Sequence, residues 1–280
     1  MSARPVLSPR PTRMVLGARV FPPASRFSAR AQRLAARNLR VQAKVPLVWL
    51  SGLVEPVLYL LSIGVGIGHL VGTVPGPTGA PVRYALFVAP ALLATSAMNG
   101  AIYECTTNIF AKLHWEKLYQ AVIATPLTPG DVAAAEIGVA ILRVTLYAGA
   151  FLATMALMGD TASWWALLSL PAAVLVGLAF ATTGFAATTY MRSWTDFDKI
   201  NLVSIPLFLF STTFYPLRVY PRWLQIVVEC TPLYHGVVLC RDLALGDVGW
   251  GLLAHGAYLA ALATLGMVVA GRRVVSLLSP

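Results

Sequence analysis

Residues 163–190 read SWWALLSLPAAVLVGLAFATTGFAATTY, without one charged side chain. A helix of that length outreaches the roughly 30 Å hydrocarbon core of a bilayer at about 1.5 Å per residue. Just upstream, residues 132–158 read VAAAEIGVAILRVTLYAGAFLATMALM, interrupted by one acid and one base, Glu136 and Arg143. Only a few residues around Asp160 separate the two runs, so they predict an antiparallel pair of membrane-crossing helices. The whole composition agrees. The 280 residues are 58% hydrophobic and 11% charged, whereas soluble domains run near 25% charged.

Outward from this pair, further apolar runs lie at 47–71, 83–103, 199–216 and 249–270. The second span contains Pro90, Thr95, Ser96 and Asn99, and the short fifth contains Pro206. Proline is tolerated within a span because neighbouring helices satisfy the freed carbonyl. The expectation is an all-α polytopic membrane protein with six transmembrane helices.

The net charge of +10 is concentrated rather than spread. Ten of the 21 basic residues precede residue 46, and the first acid is Glu55. A basic head on an apolar body follows the positive-inside rule and calls for no nucleic acid. With both termini inside, sixteen of the 21 bases fall in inner segments, including Arg272 and Arg273 of the tail. N- and C-termini in the cytoplasm are therefore expected. An acid-free, Arg- and Ser-containing head also resembles an organellar transit peptide.

The head divides in two. Residues 1–24 are rich in Pro, Arg and Ser and read as a mobile basic tail. Across residues 25–46, Arg26, Arg30, Arg33, Arg37, Arg40 and Lys44 repeat at helical spacing. Phe27, Ala31, Leu34, Val41 and Val45 follow one position on, with Asn38 breaking the row. A basic edge beside an apolar edge predicts an amphipathic helix in the membrane interface, against anionic lipid headgroups. Pro46 ends it. Near the other end, Pro216, Pro221 and Pro232 punctuate residues 216–248. The pieces 222–229 and 233–245 are too short to cross, and read as two short re-entrant outer helices before the last span.

No G-x-x-x-x-G-K-[ST] phosphate loop, H-E-x-x-H or C-x-x-C occurs. No catalytic set and no metal site is expected. Gly64, Gly68 and Gly72 recur four apart, a spacing that lets helix backbones approach in lipid, within the subunit or between subunits. Glu55 and Arg143 are the main ionisable groups inside spans, either a structural ion pair or polar contact at a packed interface, or a transport step. Ser96, Asn99, Thr212 and Thr213 are polar candidates for a pathway. In the inner loop 104–131, Asn108 to Val122 predicts a short helix, and Asp131 a cap on the next span. Lys112, His114, Trp115, Glu116 and Lys117 cluster there. They suit either a soluble partner's groove or the lipid headgroups. Cys230 and Cys240 share the outer segment, as a bridge or as free thiols.

Gly52-x-x-Glu55-Pro56-x-x-Tyr59-Leu60-x-x-x-Gly64-x-Gly66-x-Gly68 resembles the first span of type-2 ABC transporter permeases. The likeness is to the branch with nodulation-factor (lipo-chitin oligosaccharide) and daunorubicin-type drug export permeases. Residues 84–96 (YALFVAPALLATS), 125–136 (TPLTPGDVAAAE) and 214–246, with Pro232-Leu233 and Arg241-Asp242-Leu243-x-x-Gly246, resemble it in order, over roughly 35–273. The resemblance implies a six-helix permease domain over 47–273 in the plasma membrane. It implies a coupling helix at 112–117 docked on a separate ATP-binding subunit, a second permease subunit, either a copy or a sister, and a pathway from the first, second and fifth spans. ATP would be used by the partner, with no cofactor on this chain. Lipids, glycolipids, oligosaccharides and drugs are the substrates implied. An ion-coupled carrier and a membrane-embedded enzyme or assembly factor are the other two readings.

Overall fold

The computed structural model describes residues 24–44, 54, 57–77, 79–116, 118–123, 125 and 127–278. The first helix, α1 (Ala24–Gln42), forms over most of the predicted stretch. Its Ala31, Leu34 and Asn38 are buried while Arg33, Arg37 and Arg40 are exposed. Of the apolar edge, Ala31 and Leu34, with Asn38, pack on protein, against the third long run, while Val41 is exposed. The expected tail at 1–24, apart from Ala24, and Glu55 lie outside the described residues.

Residues 57–71 form α2, which widens into π turns over Ser62–Ile67 and closes with Gly68–Val71. A small antiparallel hairpin follows, β1 (Thr73–Pro75) with β2 (Pro81–Arg83), where the sequence reads only as turns. The next helix, α3, runs Tyr84–Trp115 without a break. The expected span end at 103 and the separate helix from Asn108 are therefore corrected. Glu104 looks like a boundary charge, yet Glu104, Asn108 and Lys112 lie four apart, and each hydrogen-bonds within the protein. Charges satisfied in this way do not end a helix. A short α4 (Leu118–Ile123) leads to α5 (Pro129–Met158). Thr128 caps α5 in a reciprocal box: its Oγ1 accepts from the Asp131 N–H at 3.2 Å, and Asp131 Oδ2 accepts from the Thr128 N–H at 2.8 Å. Gly159, at φ +73°, ends α5 in the left-handed conformation.

The charge-free run forms α6 (Trp164–Thr188). Then come α7 (Asp196–Phe210), α8 (Arg222–Glu229), α9 (Pro232–Leu245) and α10 (Gly251–Leu278). The two short helices α8 and α9 sit where the prolines place them, bent by 85° to each other. Among the described residues, α3, α5, α6 and α10 are long and apolar enough to cross a membrane, and the bent pair would make a fifth crossing.

The centre is α6, packed by α3, α5, α9 and α10. Small residues make that packing close. A Cβ on Gly177 would sit 2.6 Å from Val144 Cγ1 of α5, and one on Gly266 would sit 2.8 Å from the backbone nitrogen of Thr183. The glycines singled out from the sequence behave differently. A Cβ on Gly68 would meet only its own helix, 3.8 Å from the Ile63 carbonyl, and Gly72 lies in open space. Gly64 is outside the described side chains. The thiols are free: Cys230 is exposed, and Cys240 is buried beside Ser169 of α6. No bridge joins them.

Candidate functional site

Three helices bring a polar ladder together at the α1 end of the bundle. Glu104 of α3 pairs with Arg143 of α5, both almost fully buried at 3% and 4% exposure. Glu104 also accepts from Asn108 Nδ2 at 2.7 Å and from Gln42 Nε2 of α1 at 2.9 Å. The Gln42 side-chain oxygen in turn accepts from Arg143 Nη2 at 3.1 Å. The second rung is Glu136 of α5, which accepts from Lys112 Nζ at 2.7 Å and from Asn38 Nδ2 of α1 at 3.0 Å. Two carboxylates meet two cations, so the ladder is neutral in a medium where an unpaired charge costs several kcal/mol. It fixes α1 to the long helices. Sequence reasoning took Asn38 as a flaw in the apolar row and considered Glu55 for Arg143. The signals that could have revealed the ladder are Asn38 and Gln42 one turn apart, and the four-residue repeat of Glu104, Asn108 and Lys112.

Beside the ladder lies a cavity of about 960 Å³. Its walls are Tyr59 of α2, the stretch of α3 from Leu92 to Thr107, Arg143 to Phe151 of α5, and Trp194 to Phe208 at the start of and along α7. On α3 that span corresponds to roughly 20 Å of depth. Arg143 and Tyr147 mark the end nearest the ladder, and Phe151 and Phe208 the apolar end. Between them the walls present amide and hydroxyl groups, including Ser96, Asn99, Asn201 and Ser204. Aromatic faces beside amides and hydroxyls can hold an amphiphile whose polar part hydrogen-bonds without charge. Of the four pathway candidates, Ser96 and Asn99 line this space. Thr212 and Thr213 do not. They are buried at the far end of α7, where Ser211 and Thr213 hydroxyls share a 2.8 Å hydrogen bond and Thr212 takes φ +60°.

The Thr212 carbonyl accepts from Arg241 Nη2 of α9 at 2.7 Å, and the Phe87 carbonyl of α3 accepts from Arg241 Nε at 3.0 Å. The guanidinium also lies 3.7 Å from the centre of the Phe87 ring. Arg241 is thus a buried clamp between α3, α9 and the residues that follow α7. Nearby, His235 of α9 and His255 of α10 meet at 2.6 Å between their Nδ1 atoms, so one ring donates and the other accepts. Among the described residues, no three metal-binding side chains converge.

At the α1 end, the expected coupling cluster is split. Lys112 points inward onto Glu136. His114, Trp115 and Glu116 are exposed, Trp115 at 64%. Lys117 lies outside the described residues. Trp115 stacks on Trp194, with ring centres 5.1 Å apart and planes 18° from parallel. Phe110, buried beneath, meets the edges of both. The residue 191–199 turn that presents Trp194 is tied down by Asp196, whose Oδ2 accepts from the Arg192 and Ser193 N–H groups. The Lys199 hydrogen bond, followed by those two N–H groups, holds the Asp196 carboxyl well below the usual carboxylate range.

Helices packed around α6 thus border a side cavity of mixed aromatic and polar lining, with an exposed aromatic surface at one mouth. The chain belongs to the ABC-2 type transporter family, whose pattern it matches over residues 30–245, from α1 through α9. Among curated proteins it is similar to Nodulation protein J of Rhizobium leguminosarum bv. viciae, 33% identical over 214 residues, covering 75% of this chain and 80% of that protein. Nodulation protein J of Rhizobium meliloti (strain 1021) is 31% identical over 214 residues, covering 75% and 79%. The chain is thus a multi-pass membrane protein and a permease subunit of an ABC exporter, a class that works with an ATP-binding subunit and is not an enzyme class.

Proposed function

We propose that this permease carries an amphiphile with an uncharged, hydrogen-bonding head through the cavity bounded by α2, α3, α5 and α7. Glycolipids, lipids, oligosaccharides and hydrophobic drugs are the classes that fit. The observation that carries the reading is the lining itself: Asn99, Ser96 and Asn201 beside Tyr59, Tyr147 and Phe208, with Arg143 already neutralised by Glu104. An anionic head would have to compete with that carboxylate for the guanidinium.

The remaining parts follow from the same reading. Six helices cross the plasma membrane, with α2 and α7 as first and fifth and both termini cytoplasmic, because the bases then lie inside. The exposed apolar residues of α2 and α7, such as Leu58, Leu70, Leu202 and Val203, meet lipid or a second permease subunit that closes the cavity. The arginine edge of α1 lies on anionic headgroups. His114, Trp115 and Glu116 dock on the ATP-binding subunit, which alone holds ATP. Each ladder carboxylate has a cation on it, an arrangement suited to holding helices rather than to relaying protons.

Reconstitution with the ATP-binding subunit in liposomes tests this. A fluorescent glycolipid and a fluorescent anionic phospholipid serve as the two cargoes. ATP-dependent movement of the glycolipid is expected, reduced at least tenfold by Asn99→Leu. Movement without the ATP-binding subunit, or preference for the anionic lipid, refutes the proposal. Trp115→Ala with Glu116→Lys should weaken co-purification of the ATP-binding subunit by roughly thirtyfold, the effect of losing a ~2 kcal/mol anchor. Unchanged association removes this segment as the docking element.

A further inference from the structure

We propose that Trp194 is the positioning residue that carries motion of the Trp115 segment into the wall of the cavity. The inference rests on the reading that Trp115 docks on the ATP-binding subunit, and adds what happens beyond that contact. Trp194 has two neighbourhoods at once. One face of its ring stacks on Trp115, and the same residue lines the cavity mouth with Phe197. Trp194 and Phe197 lie 4.6 Å apart between ring centres, and Phe110 supports both from below, at 6.2 and 5.3 Å. A chain of rings therefore runs from the exposed surface to the cavity without a gap.

What the chain of rings would move is α7. No residue of Asp196–Phe210 is buried, so side-to-side packing does little to fix this helix. It is held at its ends. The aromatic group grips one end, through a turn that Asp196 makes stiff by binding two backbone N–H groups. Arg241 grips the other, through the Thr212 carbonyl. A rod of fifteen residues, about 22 Å long, fixed at one end and pushed at the other, swings. Its inner side carries Asn201 and Ser204 into the cavity, so a swing changes the width of that space. Stacked rings transmit a lateral push because interpenetration is forbidden and each ring has only two torsions to absorb it.

The test needs no knowledge of the cargo. Ser204→Cys is placed in a Cys230→Ser permease, since the other two thiols are buried. With the ATP-binding subunit in liposomes, its labelling by a water-soluble maleimide is timed with and without ATP and vanadate. With Trp194 present, trapping the nucleotide should change the rate at least fivefold. Trp194→Leu should reduce that change to less than twofold while the ATP-binding subunit still co-purifies, and Trp194→Phe should keep most of it. Trp194→Met is the second variant where Trp194→Leu does not accumulate. A full response in the Leu or Met variant overturns the proposal. So does loss of the ATP-binding subunit from that variant, which makes Trp194 part of the docking surface, and so does a Ser204→Cys rate that ignores nucleotide with Trp194 intact. The docking reading fails separately, if the Trp115 and Glu116 double variant still binds the ATP-binding subunit.

Discussion

Helices α6 and α7 are both apolar, yet they occupy opposite kinds of place. In α6, Ala172, Ala173, Val176, Gly177, Ala179 and Ala181 are buried, and four other helices come up against it. In α7, Leu202, Val203, Ile205, Leu209 and Phe210 are exposed. The difference lies in side-chain size rather than hydrophobicity. Among lipid tails there is no gain in hiding one more leucine, so helices associate where small residues let backbones close in. Large residues are left for lipid, cavity or partner. Packing strength thus separates a rigid half, α3, α5, α6, α9 and α10, from a loosely held side wall, α2 and α7.

The sharpest way to break this contrast is at the ladder. Arg143→Leu leaves Glu104 buried without its guanidinium and should cost about 3–5 kcal/mol, read as loss of the monodisperse species on heating in detergent. The double variant Arg143→Leu with Glu104→Leu should recover most of that loss, because burying two matched apolar groups is often neutral. No recovery would show that the pair contributes more than charge balance.

A smaller effect is expected inside the rigid half. Gly177→Leu drives a side chain into Val144 and should cost roughly 1–3 kcal/mol by overpacking. The matched change on the side wall, Leu202→Ala, should stay within about 0.5 kcal/mol, as surface substitutions do. Equal losses at both positions would erase the distinction between the halves. The least effect is expected at Gly68→Leu measured on the single subunit, since a Cβ there meets no other helix. Assembly of two subunits is where that variant should show itself, in the mass of the purified complex.

How much of this was legible in the sequence follows from the same physics. Length and apolarity locate α3, α5, α6 and α10, and the prolines at 221 and 232 locate α8 and α9 to within a residue. Those features are local. The ladder was not legible as a unit, since its hydrogen bonds join positions 98 and 101 residues apart. Its members were visible one by one as oddities: a polar gap at Asn38, a mid-span Arg143, an apparent helix end at Glu104. The stacking of Trp115 on Trp194 was missed because the two inner loops carry no shared spacing. The packing glycines were sought in a regular repeat, and the close approaches at Gly177 and Gly266 have none.

The ladder also bears on the order in which the protein can be made. As the chain leaves the ribosome, α1 appears before its partners: Gln42 meets Glu104 first, and Asn38 has to wait for Glu136. Arg143 entering a bilayer alone would face about 2.5–3.5 kcal/mol of insertion cost. Glu104, 39 residues ahead, is already in place to receive it. Helices α3 and α5 therefore enter the membrane most favourably as a charge-matched couple, with α1 packing against them afterwards. A ribosome-bound chain that ends before residue 136 should still leave α1 open to protease, and one long enough for residues 136–150 to have cleared the ribosome should not.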